Sequence, residues 1–173
     1  MRLSEVPLIG ADTLQRRVVE LAVAIGEVYA GRELLLLVVL KGAVPFAADL
    51  MRHLEGDLRV DFVRAKSYQG SHSSGSIQIT HMPEEPLAGR HVLVIEDILD
   101  TGLTAAAIMA CLREQGPASL ALCTLLDKPT RRTTEIKADF VGFTIDNQFV
   151  VGYGLDYNER FRQLPAVYVL NTT

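Results

Sequence analysis

The sequence predicts an α/β fold, a mainly parallel twisted sheet flanked by helices with a small hood toward the carboxyl terminus. Three observations predict it. Continuous apolar runs at Leu34 to Leu40, His91 to Ile95 and Ser119 to Leu126 read as strands covered on both faces, as parallel strands are. Helix-patterned segments at Val44 to Arg52 and from about Leu103 to Gln115 alternate with those runs, which is the signature of βαβ units. Beyond Asp139 the texture changes to short strand candidates separated by turns, with no helix of ordinary length among them.

In chain order, the first element is an amphipathic helix from Asp12 to Tyr29. Leu14, Val18, Leu21, Ala22 and Ile25 recur at helical spacing, Asp12 or Thr13 is available as an N-cap, and Gly31 follows the end. The strand at Leu34 to Leu40 stops at Lys41-Gly42-Ala43. A lysine and a glycine at the carboxyl end of a buried strand stand where open α/β sheets put their ligands, although a solvated lysine beside a turn glycine has the same local pattern. Leu58 to Ala65 is another strand. The following polar, Gly- and Ser-rich stretch contains Tyr68 as its one apolar anchor and cannot bury enough surface to offset its ordering entropy, so a mobile loop is expected over about 66–77. Ile77 to Thr80 can return as the second arm of a hairpin.

Pro83 to Gly89 is a turn-rich connection into His91 to Thr104, the most informative stretch of the chain. Five strand-like residues, His91 to Ile95, give way abruptly to Glu96, Asp97, Asp100, Thr101, Gly102, Leu103 and Thr104, and helix formers resume at Ala105. A loop between a parallel strand and a helix N-terminus offers free backbone N–H groups to a phosphate. Thr101 and Thr104 add hydroxyl donors, and Gly102 leaves the backbone open to an anion. Three carboxylates beside a phosphate cradle would repel it, which asks for a divalent cation, sugar hydroxyls or a substrate proton between them. The helix ends at Gly116-Pro117, and the next strand ends at Asp127-Lys128. Asp139 to Ile145, Val150 to Tyr153 and Ala166 to Leu170 are the late strand candidates.

Composition bounds the function. The chain has 173 residues, enough for one well-buried domain spanning 1–173, with 49% apolar and 22% charged residues. A net charge of −4 argues against electrostatic binding of nucleic acid as its main business. Cys111 and Cys123 have no metal-site spacing and read as reduced core thiols, consistent with a cytoplasmic location. No apolar run has the length of a signal peptide or a membrane span.

The segment Val94-Ile95-Glu96-Asp97-Ile98-Leu99-Asp100-Thr101-Gly102-Leu103-Thr104 resembles the phosphoribosyl pyrophosphate motif of the type I phosphoribosyltransferases. Leu40-Lys41-Gly42, Lys66-Ser67-Tyr68, Lys137 to Phe143 and Phe149 to Glu159 match the hypoxanthine-guanine branch, in order. The resemblance implies that Asp100 to Thr104 hold the 5′-phosphate, and that Glu96 and Asp97 lie by the ribose hydroxyls, with or without a metal ion between. It implies that Asp100 takes the proton from purine N7, and that Lys41, Gly42 and Arg162 face the pyrophosphate. Lys137 is expected to donate to the 6-oxo group, Phe149 to stack on the base, backbone around Val150 to read its other edge, and Asp156 to ligate Mg2+. Ser67 and Tyr68 would belong to a lid. Ala43 and Leu103 depart from many relatives, which carry a second glycine and in some cases a lysine there.

The activity implied is Mg2+-dependent transfer of a 5-phosphoribosyl group to hypoxanthine or guanine, by a homodimer or homotetramer that needs neither nucleic acid nor membrane. Two alternatives stand beside it. One is a nucleotide-sensing RNA-binding regulator of the same fold, which would need a basic stripe that 21 acids against 17 bases do not suggest. The other is a transferase preferring xanthine, which would share every phosphate-side residue.

Overall fold

The computed structural model describes residues 2–70 and 73–171, with side chains omitted for 67–70 and 73–76. Its centre is a six-stranded sheet of β2 (Leu34–Val39), β3 (Leu58–Gly70), β4 (Ser73–His81), β5 (His91–Leu99), β6 (Ser119–Asp127) and β7 (Phe140–Thr144), in the order β4-β3-β2-β5-β6-β7. All neighbours are parallel except β3 and β4, which form an antiparallel hairpin. From β2 the chain moves outward to β3 and β4, then returns to the other side of β2 for β5, β6 and β7. Strand order therefore reverses between β2 and β5, and open α/β sheets bind ligands at the carboxyl ends of such a pair.

Two helices cover one face and a third covers the other. On α1 (Ala11–Val28), Leu14, Val18, Leu21, Ala22 and Ile25 are buried at helical spacing. They pack with Phe46, Ala47 and Leu50 of α2 (Val44–Met51) over Leu36, Val38, Leu93 and Ile95. The opposite face carries Leu35, Leu37, Val92 and Val94 against Ile108, Met109 and Leu112 of α3 (Leu103–Arg113). Alternate residues of β2 and β5 thus serve opposite cores, which is why these strands read as unbroken apolar runs. Burial pushes the Cys123 thiol on β6 up to about 12, as befits an inert core residue.

The hood is a three-stranded antiparallel sheet of β1 (Arg2–Leu3), β9 (Tyr168–Asn171) and β8 (Val150–Val151), with β9 in the middle. Tyr153 ties it to the body, its Oη donating to Asp49 Oδ2 on α2 at 2.6 Å.

Several boundaries differ from expectation. The N-cap of α1 is Gly10 with no side-chain cap, and Asp12 lies inside the first turn. Strand β5 runs on to Leu99, because β6 continues to pair with it through Glu96–Thr124 and Ile98–Leu126. The stretch expected as a loop over 66–77 supplies the two arms of the β3–β4 hairpin, with Lys66 opposite Gln78. The side chains of Ser67 and Tyr68 lie outside the described residues. No described helix is long and apolar enough to cross a membrane.

Candidate active site

The expected phosphate loop closes a cavity of about 260 Å³ at the carboxyl end of β5, lined by Glu96, Asp97, Asp100, Thr101, Gly102 and Thr104 among others. Gly102 is the N-cap of α3 at φ +84°, a left-handed conformation that glycine adopts freely. A Cβ there would also lie 2.8 Å from Arg132 Cδ and Ile136 Cγ2, so the position has neither the torsional nor the spatial room for a side chain. Leu103 is half-exposed beside it.

The loop is braced from behind by residues that local sequence did not single out. Arg132 donates through Nε to the Asp100 carbonyl at 3.0 Å and through Nη2 to the Leu99 carbonyl at 2.9 Å, and it pairs with Asp127 at the end of β6. The Thr133 amide donates to the Thr101 carbonyl at 3.0 Å. Arg131 Nε holds Asp100 Oδ1 at 3.1 Å, and Asp100 lines the cavity.

The acidic pair stands on the strand end rather than in the loop. Pairing of β5 with β2 stops at Val38–Ile95, so one edge of β5 is open where Glu96 and Asp97 begin. Glu96 is 7% exposed. Desolvation, with the Asp97 charge adding to it, raises the Glu96 carboxyl well above its ordinary value. Desolvation also raises Asp97, opposed by hydrogen bonds from Glu96 and the Ile98 amide and by the Arg162 charge. Without a cation or hydroxyl partners, this pair resists carrying two charges.

Gly42 sits against Asp97 so closely that a Cβ would strike Asp97 Oδ2 and approach its Cγ to 2.6 Å. From the other side Gly154, at φ +99°, approaches the Gly42 carbonyl. The Lys41-Gly42 turn is thereby held between the acidic pair and the segment carrying Asp156. Lys41 Nζ pairs with Glu159 Oε2 at 2.8 Å. Arg162 Nη2 lies 2.9 Å from Asp156 Oδ1 and 3.4 Å from Glu159 Oε2, while its Nη1 donates to the Gly154 carbonyl at 2.8 Å. Its buried Nε has no partner among the described residues.

Beyond β7, Phe149 is 48% exposed and meets Tyr157 in a T-shaped contact with ring centroids 5.7 Å apart. Val150 beside it is buried in β8. Lys137 does not join them. It is exposed on the crossover into β7, in a groove with Asp127, Arg132, Glu135 and Ala138. It precedes the amino end of β7, whereas Phe149 follows its carboxyl end, and a five-residue strand spans roughly 13–17 Å. That exceeds the reach of a lysine side chain. The lysine that does reach this region is Lys128, directly after β6. It is only 5% exposed, its Nζ donates to the Gln148 carbonyl at 2.6 Å, and its own amide donates to the Leu99 carbonyl at 3.0 Å. Burial lowers its ammonium from the ordinary lysine value, with the nearby Asp100 charge pulling the other way. The signal was available: Lys128, like Lys41, ends a buried strand at the sheet's ligand edge.

Among the described residues no three His, Cys, Asp or Glu side chains converge as a preformed metal cage. Mg2+ commonly binds through one or two carboxylates, completing its shell with water and substrate phosphates, and the partly buried carboxylate of Asp156, whose oxygens here meet Arg162 and the Glu159 amide, or the buried acidic pair is that kind of donor.

The chain matches the family model described as phosphoribosyl transferase domain over residues 10–158. It is 43% identical over 164 residues to the hypoxanthine-guanine phosphoribosyltransferase of Streptococcus pneumoniae strain R6, covering 94% of this chain and 91% of that one. It is 38% identical to the hypoxanthine-guanine-xanthine phosphoribosyltransferase of Tritrichomonas foetus, covering 94% and 90%. A crystal structure of a hypoxanthine-guanine phosphoribosyltransferase from Bacillus anthracis superposes with a TM-score of 0.93 at 38% identity, covering 98% of this chain and all of that one.

Proposed function

The chain belongs to the phosphoribosyltransferase family, in its hypoxanthine-guanine branch, and from that premise we propose that it is a purine salvage enzyme. It transfers the 5-phosphoribosyl group of phosphoribosyl pyrophosphate to N9 of hypoxanthine or guanine, forming IMP or GMP and releasing pyrophosphate. One observation carries the reading. The cavity at Glu96–Thr104 has the Lys41-Gly42 turn packed on Asp97 and, at its other end, Lys128 bonded through its amide to the Leu99 carbonyl and through Nζ to the carbonyl of Gln148, next to the exposed Phe149. This supports a reading in which phosphate, pyrophosphate and base are bound side by side.

In this reading Thr101, Gly102, Leu103 and Thr104 bind the 5′-phosphate through backbone amides and hydroxyls at the N-terminus of α3. Glu96 and Asp97 accept from the ribose hydroxyls and favour the positive charge that develops on the sugar as its anomeric bond breaks. Lys41 and Arg162 take the charge building on the pyrophosphate. Asp156 would hold Mg2+, which when bound neutralises leaving-group charge. Asp100 accepts the purine N7 proton with the carboxylate oxygen that Arg131 leaves free. Lys128 donates to the 6-oxo group of a base stacked on Phe149, with backbone at Val150 along its edge. A lysine donor accepts an oxo group and rejects the amino group of adenine, which would leave the ammonium unpaired in a desolvated site.

The β3–β4 hairpin extends past the last residue of β2 at the ligand edge, which supports reading the arm that carries Ser67 and Tyr68 as a lid that excludes water from the reactive sugar. Val60 and Phe62 on β3, 42% and 38% exposed, supply apolar surface for a homodimer or homotetramer, which sedimentation at micromolar protein would reveal. A cytoplasmic location fits an enzyme acting on small phosphorylated metabolites.

Incubating the protein with phosphoribosyl pyrophosphate, Mg2+ and each purine in turn tests the assignment. Nucleotide should form from hypoxanthine and guanine and not from adenine. Formation from xanthine alone would move the protein to the xanthine-preferring reading, and formation from none would remove the activity.

A further inference from the structure

Glu159 is not needed for any step above, yet it occupies the centre of the pyrophosphate side. Its Oε2 lies 2.8 Å from Lys41 Nζ and 3.4 Å from Arg162 Nη2, so one carboxylate oxygen bridges the two cations assigned to the leaving group. Three features show that the fold places it there. Tyr157 and Arg160 exchange backbone hydrogen bonds of 3.1 Å each way, closing a tight turn with Asn158 and Glu159 at its tip. Both tip residues have positive φ, +51° and +63°, a conformation that costs side-chain-bearing residues energy and that glycine would relieve. The Glu159 amide donates to Asp156 Oδ2 at 2.8 Å, which fixes the turn against the segment carrying Arg162. The side chain itself is exposed and, among the described residues, is held by the two cations, so it can leave without opening the core.

We propose that Glu159 is a resident counter-anion: in the free enzyme its carboxylate stands where an oxygen of pyrophosphate would, keeping Lys41 and Arg162 aligned, and it gives way when the donor binds. The inference rests on the assignment of Lys41 and Arg162 to pyrophosphate. Its consequence is a specificity-determining role. A ligand with a pyrophosphate group must displace Glu159, whereas a nucleoside monophosphate, whose phosphate sits at the α3 N-terminus, need not.

Calorimetric titration of inorganic pyrophosphate and of IMP, at fixed Mg2+, into the wild-type protein and Glu159→Gln tests this. The glutamine is isosteric and keeps the turn, and equal thermal unfolding of the two proteins confirms that the fold is intact. Pyrophosphate should bind the variant about three- to tenfold more tightly, the change expected on removing two partly exposed ion pairs from the free state. IMP affinity should stay within about twofold. Equal tightening of both ligands would reduce the effect to a general loss of negative charge and overturn the proposal. Unchanged or weaker pyrophosphate binding would also overturn it, the second result making Glu159 part of the binding site. If the wild-type protein binds IMP but not pyrophosphate, the assignment of Lys41 and Arg162 fails first and the counter-anion with it.

Discussion

At the scale of single residues, the most instructive pair is Lys128 and Lys137. The family resemblance favours Lys137, which lies in a matching segment, while Lys128 reads only as the residue at which a buried strand ends. Topology reverses this, because Lys128 ends β6 at the ligand edge and Lys137 lies three residues before β7 begins. Replacing Lys128 with Ala should lower kcat/KM for hypoxanthine by roughly 10- to 100-fold, the cost of a lost charge-assisted hydrogen bond, whereas Lys137→Ala should stay near wild type. Steady-state kinetics on the two variants would settle the assignment, and the reverse pattern would restore Lys137. Asp100 was legible from sequence alone, since it sits inside a contiguous motif whose geometry is local. Asp100→Asn should depress kcat by about 10² to 10⁴ with little change in donor binding, and an unchanged kcat would remove Asp100 from the proton transfer. Glu159 and Arg132 were not legible, because each acts through partners that only the folded chain brings near.

At the scale of elements, the strands and helices of the sheet followed from periodicity, and the boundaries moved where pairing overrode polarity. The switch to acidic residues after Ile95 looks like a strand end. It is instead the point where β2 stops and β6 alone continues, so Glu96 and Asp97 are held on strand backbone paired on one edge, with the Gly42 turn packed against Asp97. That placement comes with burial, and burial has a pH signature. Glu96 titrates above its ordinary value in the folded protein, so as pH rises past about 4.5 the unfolded chain releases this proton before the folded one does. The folded state then binds more protons than the unfolded, and stability falls with rising pH until Glu96 itself ionises. In chelator-containing buffer, Glu96→Gln should therefore match wild-type Tm near pH 4 and exceed it increasingly toward neutrality. A Tm difference that shrank with rising pH would contradict the burial argument. The α3 cap makes a similar point: D-T-G-x-T identified Gly102, but the side chains of Arg132 and Ile136 that close its space come from the next crossover.

At the scale of the whole molecule, the parallel sheet was legible because each βαβ unit is built from neighbouring segments, and the hood was only partly so. Its late strands were expected, but their partner was not, since residues 2 and 3 pair with residues 171 and 170 and leave no local pattern. That pairing links the amino terminus to the backbone of Phe149. β9 lies between β1 and β8, the Leu170 amide donates to the Phe149 carbonyl at 2.8 Å, and the Ser4 amide donates to the Val169 carbonyl at 2.9 Å. Removing residues 1–5 would leave β9 with a free edge while touching neither the α3 N-terminus nor Lys41. The purine platform should loosen and the phosphate side should not. KM for hypoxanthine is expected to rise roughly fivefold, equivalent to about 1 kcal/mol of lost hydrogen bonding in the hood, while KM for phosphoribosyl pyrophosphate at saturating purine stays within twofold. Equal rises in both would mean that the strand supports the whole domain rather than the hood, and no rise in either would mean that β8 and β9 hold Phe149 without it.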